Sequence, residues 1–370
     1  MVITMSNESS ANILLNAIYN RQRKVILEKC PLGAFEKIFD LAISIDPRII
    51  AFLDLDKITY NYKKNSLISL SEDYEVLLEY SGQFFKIDDI IQYDNSTKIK
   101  HIIDTRSHNT ICLVGSGFDK LQEELDNAYL SYMTTIEGFD QIYWETLAYK
   151  QYSIMNIHVQ FICDEIKLNE KHRQTEFDVK KIISEIKLNS RIPMFLKIFM
   201  VFSYVCQNCS LNTKAQLEKQ EVGQMTAYPN ASIAYGALHE SVATSKGIAW
   251  LLKYFFDALG IENQIVAGGI DDAFLQSDNY YWNLVKIDGL YYHIDATWNI
   301  NMEGIFVGGY MKSDEEFFKT HKWYDTVPAA KGTRFDYDYV EEYLLENGEE
   351  LLDTGLPDNI LFPEPVNDNN

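Results

Sequence analysis

Two stretches hold the residue types that could carry out acyl chemistry. "ATSKGIAWLLKYFFDALGI", Ala243 to Ile261, opens on Thr244-Ser245 and runs on as an apolar-periodic segment. "NYYWNLVKIDGLYYHIDATWNI", Asn279 to Ile300, gathers Tyr280, Tyr281, Trp282, Asn283, His293, Asp295 and Trp298. A hydroxyl such as that of Ser245 attacks an amide carbon only when a general base takes its proton. Two histidines are in range by sequence. His239 lies six residues before Ser245, and His293 lies two before Asp295, which puts both of those side chains on one strand face. Serine is also among the best helix N-cap residues, so Ser245 can serve the helix rather than a reaction.

The elements that would hold these groups are legible. Ile248, Leu251, Leu252, Phe255, Phe256 and Leu259 recur at helical spacing, and Gly260 follows as a stop signal. Alternating apolar and polar residues flank Asp288-Gly289, a β-hairpin pattern with a turn dipeptide that accepts positive φ. In "MKSDEEFFKTHKWYD", Ser313 and Glu316 stand at capping-box spacing ahead of a short helix.

The order of a helix, then "WNLVKIDGLYYHIDATW", then "SDEEFFKTHKWYD" resembles the transglutaminase-like superfamily over about residues 190–325. More narrowly, it resembles the bacterial branch of that superfamily that carries extra N-terminal α/β sequence. That resemblance implies an α+β fold of the transglutaminase or papain type, a central helix packed on an antiparallel sheet. It also implies a cysteine at the helix N-terminus, a histidine opening the Trp-Asn strand and an aspartate ending the next one. There the helix terminus depresses the thiol pKa, histidine takes its proton and aspartate orients the imidazolium. In this chain the cysteine position falls on Ser245 and the histidine position on Tyr280, whereas the aspartate is kept as Asp295. The framework residues Gly247, Ala249, Trp282, Asn283, Thr297 and Trp298 are present. A phenol of pKa about 10 is protonated at neutral pH and is a poor base. The expectation is therefore a non-catalytic transglutaminase-like protein, a pseudoenzyme that binds a peptide or protein partner in a groove lined by Ser245, Tyr280, Tyr281, Trp282 and Asp295. A filled groove in a scaffold is the plainer version. The rival is an amide hydrolase or acyltransferase using Ser245 with His239 or His293.

The rest of the chain bounds these readings. With 54 acidic against 33 basic residues, a net charge of −21 disfavours nucleic acid and anionic lipid as partners. No basic region followed by an apolar core opens the chain, and "IPMFLKIFMVFSYVC" reads as a buried helix, so a cytoplasmic protein without membrane contact is expected. The five cysteines include one CxxC pair, Cys206 and Cys209, without the second pair that a structural zinc would need; neither metal nor cofactor is expected. "VGSG" at Val114–Gly117 lacks the further residues of a phosphate loop and reads as a turn. Residues 1–165 read as an α/β region with an internal repeat, about 18–70 and 102–159. Each copy reads as strand, helix and two strands, the paired strands falling near 49–62 and 66–70, then near 141–149 and 152–161. The sequence between the copies is mostly helix-capable. Residues 166–189 read as a connector helix, 190–352 as the transglutaminase-like domain and 353–370 as a tail.

Overall fold

The computed structural model describes residues 5–64, 71–80, 94–105, 110–115, 117–188, 190–212, 214, 228–271, 276–301, 308–324 and 326–353. The strand expected at 66–70, Ser116 of the VGSG turn and the tail beyond residue 353 lie outside these residues. The chain forms two compact units, residues 1–129 with 141–160, and residues 130–140 with 161–370. The second unit thus takes in the expected connector helix.

In the first unit, α1 (Asn7–Tyr19), β1 (Lys24–Pro31), α2 (Phe35–Ile45), α3 (Ile49–Phe52), β2 (Thr59–Lys64) and β3 (Ser71–Leu77) come first. They are followed by α4 (Asn95–Thr105), β4 (Thr110–Gly115), α5 (Phe118–Thr135), β5 (Phe139–Tyr149) and β6 (Tyr152–Phe161), with α5, β5 and β6 running on into the second unit's segments. The two three-stranded sheets share one order, β1-β3-β2 and β4-β6-β5, with the last strand in sequence at the centre. Two expectations need correcting. Residues 49–52 coil into α3 instead of starting a strand, because all four side chains are buried and a strand would turn half of them outward. Tyr74–Leu77, read as helix-capable, belongs to β3, where Tyr74 and Val76 face the core and Glu75 does not.

The second unit contains α6 (Glu165–Glu185), α7 (Met194–Asn208), β7 (Ser210–Leu211), β8 (Val242–Ala243), α8 (Ser245–Ala258), β9 (Asn263–Asp271), β10 (Gln276–Ile287), β11 (Leu290–Ile294), α9 (Ala296–Asn301), α10 (Asp314–Phe317), β12 (His321–Trp323) and α11 (Tyr337–Asp353). It is α+β. A four-stranded antiparallel sheet runs β11-β10-β9-β12, and α8 packs on β10 and β9. Ile248, Leu251, Leu252, Phe255 and Phe256 are buried on α8, each contributing about 1.5–3 kcal/mol of hydrophobic stabilisation. Gly260 ends the helix at φ +71°. The hairpin turns at Asp288 and Gly289 with φ of 50° and 80°, the positive pair that a two-residue turn requires. Gly247 is fixed by packing: a Cβ there would sit 2.3 Å from the Ala231 carbonyl oxygen, so any side chain would drive α8 away from the preceding loop.

Candidate functional site

Strand alternation sorts the motif on β10. Tyr281 and Asn283 turn toward α8: the Asn283 amide donates to the Ala249 carbonyl (3.0 Å), and Lys246 Nζ lies 5.3 Å from the Tyr281 ring centroid. Tyr280, Trp282 and Leu284 turn to the other face and pack with Val266, Ile270 and Phe317. Ser245, at 1 % exposure, Tyr280 at 0 %, Trp282 at 1 % and Asp295 at 1 % are core residues, and Tyr281 and Asn283 are buried with them. They do not form the walls of the open groove expected from the sequence. Trp298 is half-buried, with its ring edge-on to His321.

Ser245 is the first helical residue, not the N-cap. Thr244 is the N-cap, with no side-chain cap bond, and its hydroxyl donates to the Ala231 carbonyl at 3.1 Å. The Ser245 hydroxyl accepts from the Tyr281 N–H at 3.3 Å, and no imidazole among the described residues lies within hydrogen-bonding distance of it. Next along α8, Lys246 brings a buried cation to the helix N-terminus, where the macrodipole opposes it. Its ammonium donates to the Phe139 carbonyl at 2.8 Å.

Asp295 is where the buried polar groups converge. Its Oδ2 accepts the Tyr280 hydroxyl at 2.8 Å and lies 3.1 Å from His321 Nε2, while Oδ1 accepts the Trp298 N–H at 3.0 Å at the start of α9. Tyr280 therefore donates to the carboxylate, as a triad imidazole would, but a phenol used as donor offers no basic nitrogen to a neighbouring hydroxyl. His321 is the group that sequence reasoning missed. The signal was present as the histidine of "SDEEFFKTHKWYD", but nothing local ties β12 to the end of β11. His321 Nδ1 is paired with the Thr320 hydroxyl at 2.8 Å, and its ring stacks on Phe317 at 3.7 Å.

The two histidines proposed as relocated bases are engaged elsewhere. His239 sits in the turn of π-helix at Gly236–Glu240, against the Tyr235 ring and 3.6 Å from Asp178. His293 Nδ1 receives the Trp282 indole N–H at 3.0 Å. Indole nitrogen is a donor without a lone pair to offer, so Nδ1 is bare and Nε2 carries the proton, which it donates to Asp314 Oδ1 at 2.9 Å. Burial lowers the His293 pKa to about 4, against the opposing pull of Asp314. Its one lone pair is spent on Trp282, which removes it as a base for Ser245. Asp314 also accepts the Ala330 N–H through Oδ2. Ser313 is the N-cap of α10 as expected, but it makes no side-chain cap bond, so the capping box does not form.

Of the two CxxC thiols, Cys206 donates to the Ala296 carbonyl at 3.8 Å, and Cys209 to the Ala237 carbonyl at 3.3 Å. Burial raises both, Cys209 to about 12, which keeps them as thiols at neutral pH. No group of three or more metal-ligating side chains occurs among the described residues, and no helix among them is long and apolar enough to cross a membrane.

No family model matches the chain, and no curated protein matches it. Among solved structures, it is similar to a TGase crystal structure at 15 % identity, over 65 % of this chain and 69 % of that one, with a TM-score of 0.31. It is also similar to a protein from Cytophaga hutchinsonii described as a cysteine protease, at 12 % identity, over 53 % and 80 % of the two chains, with a TM-score of 0.28.

Proposed function

We propose that the second unit is a transglutaminase-like domain that has given up catalysis and serves as a scaffold, its former active site filled by its own side chains. The observation that carries this reading is the bond from the Tyr280 hydroxyl to Asp295, made by a side chain with no solvent exposure. The position that must supply a base supplies a donor instead. Ser245, at the nucleophile position, has its hydroxyl engaged by the Tyr281 N–H.

Burial of Tyr280, Trp282 and Asn283 favours the filled site over a peptide groove, because a peptide would have to displace core side chains that α8 and α10 hold in place. The hydrolase alternative loses support because His293 spends both ring nitrogens on Trp282 and Asp314, and the Ser245 hydroxyl has the Tyr281 N–H, not an imidazole, as its partner. A serine-directed fluorophosphonate tests the proposal. The expected outcome is labelling of the wild-type chain no greater than that of Ser245→Ala; strong labelling lost in that variant would overturn it.

A further inference from the structure

The sheet of the second unit carries a cleft of about 650 Å³, lined by Asp271, Ser277, Asp278 and Lys322 around Gly269. That volume falls within the roughly 300–1,000 Å³ of small-molecule sites. Sheet register sets its floor. Gly269 lies two residues from Ala267, which pairs with Tyr281, so both point to the α8 face, while Gly268 between them meets the Trp282 ring on the other side. Lys322 on β12 stands directly opposite Gly269, and directly opposite residues share a face. On β10 the register slips between Ser277 and Tyr280, so Asp278 and Asn279 together oppose Gly269, a bulge that re-aims the side chains it carries.

The geometry above Gly269 is made of acceptors. Where a Cβ on Gly269 would stand, the three nearest atoms are all oxygens: the Ser277 carbonyl at 3.2 Å, the Tyr324 hydroxyl at 3.4 Å and Asp278 Oδ1 at 3.6 Å. The Tyr324 hydroxyl spends its proton on the Asp278 carbonyl at 2.5 Å, which leaves its lone pairs as acceptors. The charges at the cleft are left apart. Neither the Lys322 ammonium nor the Asp278 carboxylate makes a hydrogen bond or ion pair among the described residues, with the other or with a third group. Asp271, the second carboxylate, already accepts the Gln276 amide at 2.9 Å. A simple anion would be repelled by the carboxylates and a simple cation by Lys322, whereas a molecule with both an ammonium and a carboxylate meets both sides.

We propose that this cleft binds a small zwitterion of the amino-acid class, its ammonium against Asp278 and its carboxylate against Lys322. An ammonium has three donors to share among the Asp278 carboxylate and the other oxygens above Gly269, and a carboxylate accepts from Lys322 by a charge-assisted bond. The proposal is independent of the loss of catalysis, because none of these side chains belongs to the Tyr280–Asp295–His321 network on the opposite face.

The test is isothermal titration calorimetry on the full chain, with L-alanine and trialanine as probes, each also in its N-acetyl and C-terminal amide forms. Binding of L-alanine assigns a free amino acid, and binding of trialanine alone assigns a short peptide; either, at one site per chain, supports the cleft. Capping either end is expected to weaken binding by roughly tenfold, the size of one charge-assisted hydrogen bond. Lys322→Gln should weaken the uncapped probe by a similar factor and leave the amide form, which has no carboxylate, unchanged. Asp278→Asn should do the same for the uncapped probe and leave the N-acetyl form unchanged, and it serves as the second variant if Lys322→Gln loses its native circular dichroism. Absence of binding by both uncapped probes, capped forms that bind as well as their parents, or unchanged binding by a folded variant would overturn the proposal.

Discussion

Two imidazole–carboxylate pairs flank the Tyr280–Trp282 face of β10, and they are built for different ends. Asp295–His321 is closed: both side chains are buried, and the carboxylate also accepts a phenol and a backbone N–H. His293–Asp314 is half open, with the imidazole buried and the Asp314 side chain 35 % exposed. In the first pair the carboxylate organises everything around it. In the second the imidazole is the fixed element, its tautomer set by the Trp282 indole. Asp295 is the hub of a buried polar network, whereas the imidazole of His293 is held neutral by its burial.

The comparison can be broken most sharply at the two carboxylates. Asp295→Ala leaves Tyr280, His321 and the Trp298 N–H without their buried acceptor and is expected to cost about 3–5 kcal/mol in urea denaturation. Asp314→Ala is expected to cost about 1 kcal/mol, because solvent can replace much of what it provides. Equal losses would contradict the distinction between closed and open pairs.

The next effect is in pH. His293 titrates near 6.5 when unfolded and at about 4 when folded, so between these values the unfolded chain binds the extra proton. Its contribution is whole above pH 6.5 and is lost as pH falls through 6.5 toward 4, about 3 kcal/mol in all. Trp282→Phe removes the N–H that occupies Nδ1, and NMR titration of His293 should then report a higher pKa.

Tyr280→Phe should cost less, about 1.5–3 kcal/mol, since Asp295 keeps His321 and the Trp298 N–H. Ser245→Ala is expected to be smallest, about 1 kcal/mol or below, because it removes one long bond to the Tyr281 N–H at a position where alanine is a good helix former. A thermal-melt series that placed Ser245→Ala above Tyr280→Phe would reverse the account.

What was legible in the sequence follows from how local each signal is. The α8 stripe and its Gly260 stop, and the Asp288-Gly289 turn, are set by neighbours within a few residues, and they stand where the pattern puts them. Ser245, Tyr280 and Asp295 could be singled out because each sits in a local motif of the sequence. His321 and Asp314 were not read as site residues, because they join Asp295 and His293 only through the pairing of β12 with β9 and the docking of α10 beside β11. Burial was also illegible. Aromatic residues at alternating positions suit a binding groove and a packed core equally, and tertiary packing decides between them. The same holds for Ile49–Phe52, whose apolar run suits either strand or buried helix until its surroundings are known.

The claim that a base is missing at position 280 is tested most directly by thiol reactivity. Ser245→Cys, alone and combined with Tyr280→His, would be alkylated with iodoacetamide across pH 5 to 9, and the rates compared. The account predicts that the single variant reacts only as an ordinary or buried thiol, with its rate rising above about pH 8, and that the double variant gains reactivity at or below neutral pH as an imidazolium lowers the thiol pKa. A single variant already reactive near pH 6 would mean that the chain supplies another base to this position, and the non-catalytic reading would fall.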